Sequence, residues 1–192
     1  MLECLVNLDN GRKTPFDSSL FVSIVWQKKQ VSGHIYFMTP HTSASAQFQD
    51  LGIAPKILSL LSSHGFVTPT PIQHQSIPHG IEGKDILGIA QTGTGKTLAF
   101  GIPMIQRLAV HKGQGLVLLP TRELALQVDE TLQKIGKPLG LRTAVLIGGA
   151  GMGPQVASLK RKPHVVIATP GRLMDHLQQR TYSLSEIRIL VL

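Results

Sequence analysis

The chain has 192 residues, 42% of them hydrophobic, which is enough for one globular domain with a sizeable core. A single cysteine, Cys4, excludes an intramolecular disulfide, and no apolar run approaches the roughly 18 residues of a membrane span. The net charge of +8 points to a polyanionic partner such as nucleic acid.

The basic excess is uneven. Before residue 44, Arg12, Lys13, Lys28 and Lys29 face Glu3, Asp9 and Asp17, whereas the rest of the chain holds 15 basic and 8 acidic residues. The eight histidines are scattered without cysteine partners, so no metal site made by side chains alone is expected. Met1-Leu2-Glu3-Cys4 lacks a basic n-region, so no signal peptide is expected and the default location is the cytoplasm.

Residues 1–43 carry little pattern and are left as an unassigned segment, non-native or disordered. Phe21–Trp26 and Val31–Met38 are short strand candidates, and residues 39–46 look like a linker. On one reading the native start lies nearer Met38, with upstream sequence before it. From residue 44 a partial domain begins. Leu51, Ile53, Ile57, Leu58, Leu60 and Leu61 predict an amphipathic helix over 54–63, ended by Gly65. Pro69 and Pro71 stiffen the next turn, and Pro71 suits the first position of a helix over 71–80. Gln73 is then aimed from a helix start. Its carboxamide offers a donor beside an acceptor, which suits the edge of adenine, although a lone glutamine there is more often solvated.

The apolar run Asp85–Ala90 precedes Gln91-Thr92-Gly93-Thr94-Gly95-Lys96-Thr97, and a helical pattern follows over 98–108. Strand, glycine-rich turn and helix form the context of a phosphate-binding loop. Gly93 and Gly95 allow the backbone to turn its N–H groups toward phosphate, and the helix N-terminus adds positive charge. Lys96 is placed to reach the β- and γ-phosphates, and the Thr97 hydroxyl to ligate Mg²⁺. Ala90 stands where the usual pattern has glycine.

Further strands are predicted at 115–119, 143–147, 164–168 and 187–192, with helices at 122–136, 154–162 and 172–179. This alternation implies an α/β fold, a parallel sheet with helices on both faces and ligands at the carboxyl ends of the strands. Pro120-Thr121-Arg122-Glu123, Gly148-Gly149 and Thr169-Pro170-Gly171-Arg172 all fall at such ends. Arg122 and Arg172 open helices, where the dipole disfavours a cation, so an anionic partner is expected. Local capping with a salt bridge from Arg122 to Asp129 is the plainer alternative.

Together, Phe48, Gly65-Phe66-x-x-Pro69-Thr70-Pro71-Ile72-Gln73, Ala90–Thr97, Pro120–Ala125, Gly148-Gly149 and Thr169–Arg172 resemble the first RecA-like domain of DEAD-box RNA helicases, with wording similar to bacterial members. The likeness covers Phe48 to Leu192, with 46–74 as the adenine motif. It implies that Phe48 stacks on adenine and Gln73 reads its edge, and that Ala90, Gln91, Thr92, Gly93, Thr94, Gly95, Lys96 and Thr97 hold the phosphates of ATP with Mg²⁺. Lys96 and Thr97 are the catalytic members. The resemblance assigns Pro120, Thr121, Arg122, Gly148, Gly149, Thr169, Pro170, Gly171 and Arg172 to an RNA backbone track without sequence readout.

None of the five predicted strands is followed by Asp or Glu, so the carboxylate that organises Mg²⁺ and water in phosphate-loop enzymes is missing. The Asp-Glu-Ala-Asp motif would come after Leu192, and a second RecA-like domain is expected but absent. So is the strand that this class of fold places between the phosphate-loop strand and the Asp-Glu-Ala-Asp strand. Its loss would open the sheet near its middle. The expectation is a fragment, incomplete at its C-terminus and inactive alone. The alternatives are a non-catalytic nucleotide- or RNA-binding module and an unrelated phosphate-loop enzyme.

Overall fold

Strands with apolar residues on both faces need cover on both sides, and the helices supply it. A computed structural model describes residues 47–91 and 93–192 together with the backbone of Leu2–Asn7. The order is β1 (Leu2–Asn7), a 3-10 turn (Phe48–Leu51), α1 (Pro55–Ser63), α2 (Pro71–Glu82), β2 (Ile86–Ile89), α3 (Lys96–Val110), β3 (Gln114–Leu118) and α4 (Arg122–Gly136). A second 3-10 turn (Lys137–Leu139), β4 (Thr143–Leu146), α5 (Met152–Lys160), β5 (Val165–Ala168), α6 (Pro170–Gln178) and β6 (Ile187–Val191) complete it.

The sheet order is β2-β1-β6-β3-β5-β4. β6, β3, β5 and β4 pair in parallel, while β1 runs antiparallel to both β2 and β6. β2 therefore points the same way as the four parallel strands. Two expectations change here. The sheet does not open between β2 and β6, because Leu2–Asn7 fills the gap: Leu2 to Leu5 pair with β2 and Leu5 to Asn7 with β6. A strand edge offers unpaired donors and acceptors to any chain that can lie beside it, in either direction. The second change is a strand at 2–7, where the sequence reading placed none. The candidates at 21–26 and 31–38, and the linker at 39–46, lie outside the described residues.

Period-two alternation splits the core. Val117, Val165, Ile167, Ile189 and Val191 face a layer built from the first 3-10 turn and α1 to α4, with Ile57, Leu61, Ile77, Ile102, Leu132 and Ile135 at its centre. Leu116, Leu118, Val166, Ala168 and Leu190 face Leu159 of α5 and Leu173 of α6. Ile187 joins this second face because the β3–β6 register shifts between Gln114 and Gly115.

Three helices start earlier than apolar periodicity predicts: α3 at Lys96, α5 at Met152 and α6 at Pro170. The added residues are Lys96-Thr97, Met152-Gly153 and Pro170-Gly171, too few and too mixed to show an apolar period. In α6 the proline supplies a helical φ and lacks only an N–H that would be unpaired anyway. All three extensions lie at the carboxyl ends of strands, so they place loop residues on helix N-termini.

Candidate nucleotide and nucleic-acid site

The phosphate loop is built by a half-buried strand ending in a left-handed turn. β2 ends at Ile89, Gly93 and Gly95 have φ of 80° and 84°, and Gly95 caps α3. Thr94 Oγ1 donates to Gln91 O at 2.7 Å, closing the loop on itself. Lys96 Nζ donates to Ala90 O at 2.8 Å and to Gln91 O at 2.9 Å. The ammonium is thus held across the loop mouth by neutral carbonyls, without a carboxylate that an incoming phosphate would have to displace. Thr97 stands half-buried in the first turn of α3, beside Lys96. Thr92 lies outside the described residues.

Gln73 comes to the same place from α2. It is 3% exposed; its Oε1 accepts from Thr70 N at 2.9 Å and its Nε2 donates to Gly95 O at 3.0 Å. The carboxamide is therefore a strut between the start of α2 and the base of the loop. A Cβ on Gly95 would run into the Gln73 amide, so the glycine is required by contact as well as by φ. Phe48 is 4% exposed and packs in the larger core layer, so its ring shows no open face in this conformation. A small cavity of about 30 Å³ beneath the loop is lined by Ile72, Ser76, Gly88, Lys96, Phe100 and Val191. It is far too small for a base, so a nucleotide would lie on the surface above it.

The other three motif loops meet at the carboxyl ends of β3, β4 and β5. Thr121 caps α4, its Oγ1 accepting from Leu124 N at 3.2 Å. The Arg122 guanidinium lies where a Cβ of Gly149 would be, and Gly149 has φ of 75°. Arg172 Nη1 donates to Ala150 O at 2.9 Å, and its Nε lies 3.2 Å from Asp175 Oδ2. Both arginines thus converge on the Gly148–Ala150 turn. Arg122 makes no ion pair with Asp129; the Asp129 carboxylate is bonded by Gln133 Nε2 instead. Pro120, Thr121, Arg122, Gly149, Pro170 and Gly171 are exposed there, with Gly148, Thr169 and Arg172 half-buried among them.

Two residues beneath this turn escaped the sequence reading. Gln155 Nε2 donates to Ile147 O at 3.0 Å and to Ala150 O at 3.4 Å, and its Oε1 faces His176 Nε2 at 3.3 Å. His176 Nδ1 lies 2.8 Å from Thr181 Oγ1. With both amide hydrogens of Gln155 aimed at carbonyls, its Oε1 is the acceptor, so the His176 proton sits on Nε2. Burial, with help from the Arg172 charge, pushes the His176 pKa below its ordinary value. The imidazole is therefore neutral, and it braces the turn that Arg122 and Arg172 grip. The signal in the sequence was faint: a polar pair, Gln155 and His176, at positions where α5 and α6 should be apolar.

Among the described residues no group of three or more His, Cys, Asp or Glu could hold a metal ion, and no helix is long and apolar enough to cross a membrane. Among the described loop residues, Thr97 carries its hydroxyl in the first turn of α3, next to Lys96.

Known proteins share this arrangement. The family model for the DEAD/DEAH box helicase matches residues 70–192. The chain is 49% identical over 148 residues to the ATP-dependent rRNA helicase RRP3 of Debaryomyces hansenii, covering 76% of this chain and 31% of the relative. It is 46% identical over 147 residues to the DEAD-box ATP-dependent RNA helicase CshA of Bacillus cereus, covering 76% and 28%. Fungal and bacterial relatives are thus similarly near, and the bacterial flavour of the motifs is not distinctive. The chain spans about 30% of the length of these relatives. The crystal structure of a DEAD box protein from Methanococcus jannaschii superimposes with a TM-score of 0.66 at 33% identity, covering 73% of this chain and 39% of that one. With the motif loops gathered on one edge of a RecA-like sheet and the family model spanning most of it, the chain belongs to the DEAD/DEAH box helicase family.

Proposed function

We propose that the chain is the ATP- and RNA-binding part of the first RecA-like domain of a cytoplasmic ATP-dependent RNA helicase that opens short RNA duplexes. The observation that carries this reading is the state of Lys96. Its ammonium is parked on two loop carbonyls at the head of a helix, so phosphate oxygens replace those carbonyls without breaking an ion pair. ATP phosphates lie along Ala90 to Thr97. The Thr97 hydroxyl would hold Mg²⁺, which would supply neutralisation of the phosphate charge. Gln73 holds the base of the loop. Adenine recognition by Phe48 and Gln73 rests on the motif they belong to, and stacking on Phe48 requires the ring to be uncovered.

RNA phosphates run over Thr121, Arg122, Gly148, Gly149, Thr169, Gly171 and Arg172, where helix-start N–H groups and two arginines face one way. The reading includes a second RecA-like domain closing over both ligands, in keeping with relatives about three times as long.

An arginine finger supplied by such a closing domain is worth about 10³–10⁵ in rate in other phosphate-loop enzymes, so the 192-residue chain taken alone is expected to bind nucleotide with little turnover. The test is to purify it and measure fluorescent ATP binding and RNA-stimulated hydrolysis. Nucleotide binding lost in Lys96→Ala, with no turnover in either protein, is the expected result. Turnover that Lys96→Ala abolishes would overturn the claim of inactivity, and absent nucleotide binding would overturn the site.

A further inference from the structure

Among the described residues β4 is the edge strand of the sheet, paired only with β5. Its carboxyl end leads into the Gly148–Ala150 turn described above. At its amino end, on the opposite rim of the sheet, a cleft of about 320 Å³ opens between the end of α4, the start of β4 and the end of α5. Lys137, Arg142 and Arg161 line it, with Gln133, Thr143 and Ser158 between them.

The cleft is cationic and has no counter-ion among the described residues. Lys137, Arg142, Arg161 and the adjacent Lys162 are all exposed, and none of the four is in an ion pair with a described residue. Arg142 Nη2 donates to Lys162 O at 3.1 Å, which fixes the guanidinium beside residues 160–162, all basic. Lys162 reaches this position in a left-handed conformation, φ 52°, that a lysine adopts at some cost. The Asp129 and Glu130 carboxylates of α4 are engaged elsewhere. Glu130 is paired with Lys134 at 3.0 Å, and Asp129 is bonded to Gln133 at 2.7 Å with burial pushing its pKa up rather than cations pulling it down. His164 reports the same positive field, since its pKa is lowered by burial and then by the Arg142 charge.

We propose that this cleft is a second phosphate-binding surface for RNA, placed to take the strand after it leaves the Gly148–Gly149 turn and crosses the β4 edge. At about 3.4 Å per residue, the six steps from Arg142 to Gly148 span roughly 20 Å, a few nucleotides of extended strand. Single strands carry a phosphate at every step, and exposed unpaired cations gain from releasing the counter-ions those phosphates hold. The surface adds affinity for longer RNA and carries no base preference, because no aromatic side chain among the described residues lines it.

This inference rests on the RNA track proposed at the other rim, and the experiment separates the two. Binding of fluorescein-labelled 8-nucleotide and 24-nucleotide single-stranded RNA is measured by anisotropy over a salt series, for the unchanged chain, for Lys137→Glu/Arg161→Glu and for Arg122→Ala. The cleft variant is expected to bind the 24-mer at least tenfold more weakly, to lower its log K against log salt slope by about 1.4, corresponding to about two phosphates, and to bind the 8-mer normally. Both side chains are exposed; should the charge reversal disturb the fold, Lys137→Gln/Arg161→Gln serves instead, with fluorescent ATP binding as the check on integrity. If Arg122→Ala weakens both lengths and the cleft variant weakens neither, the cleft proposal fails and the track stands. If the unchanged chain binds neither RNA, both fail.

Discussion

At the residue scale the phosphate loop depends on Gly95 and Gln73 acting on each other. Gly95 combines φ of 84° with a Cβ position already taken by the Gln73 amide. An alanine there costs about 1–2 kcal/mol for the left-handed backbone alone, and it also pushes the Gln73 carboxamide off Gly95 O. Gln73→Ala removes the same bond from the other side and leaves Thr70 N and Gly95 O without their partner, about 1–3 kcal/mol. Because both variants break one contact, their effects are coupled. The double variant is expected to lose less stability and less nucleotide affinity than the two single losses combined, as read by urea melts and fluorescent ATP titration. Full additivity would show that Gln73 and Gly95 act independently. The motif made both residues legible in the sequence as ligand contacts. That Gln73 is a buried strut was not legible, since a helix-start glutamine carries no sign of what lies across from it 22 residues away.

At the element scale β1 is the least expected part of the sheet. Among the described residues β2, which carries the phosphate loop, pairs with the rest of the sheet through β1 alone. The predicted strands β2 to β6 were legible because each is an apolar run between turn residues. β1 was not, because no helical pattern is read in the sequence after Leu2–Asn7 and its antiparallel direction breaks the βα rhythm of the other strands. What admits it is the pair of open edges on β2 and β6, a property of the assembled sheet rather than of the segment. Leu5 is the residue with partners on both sides, Ile86 and Val191. Proline at that position removes a ladder donor in a central strand. Leu5→Pro is expected to speed amide hydrogen exchange at Ile86–Ile89 and to weaken ATP binding, while β3 and β5 stay protected by their own pairing. Unchanged exchange at 86–89 would show that β2 is held by α2 and α3 instead.

At the scale of the whole molecule, the sheet gathers its chemistry on one rim and its unpaired cations on both. The loops at the carboxyl ends of the strands were readable as motifs. The opposite cluster was not, because Lys137, Arg142 and Arg161 are dispersed in sequence and meet only where β4 and α5 are packed. The brace under the Gly148–Ala150 turn has the same origin, and it gives the molecule a pH dependence. His176 is fully buried and neutral, with its pKa below the ordinary 6.5. In the unfolded chain it takes a proton near pH 6.5, so the unfolded state binds more protons at mildly acidic pH. The stability contributed by neutral His176 is complete above about pH 6.5 and is lost as pH falls from there through the folded pKa, at about 1.4 kcal/mol per unit of depression. His164, also lowered, adds in the same direction. Asp129, raised from 3.8, acts oppositely, its share of stability falling as pH rises through a lower window. Thermal melts between pH 7.5 and 5.5 are therefore expected to show a falling midpoint. His176→Gln, which loses ring contacts to Gln155 and Thr181, starts from a lower midpoint but falls less steeply, the remaining slope coming from His164. An identical slope in the variant would mean that His176 is protonated in the folded chain and that the Arg172 charge beside it is compensated elsewhere.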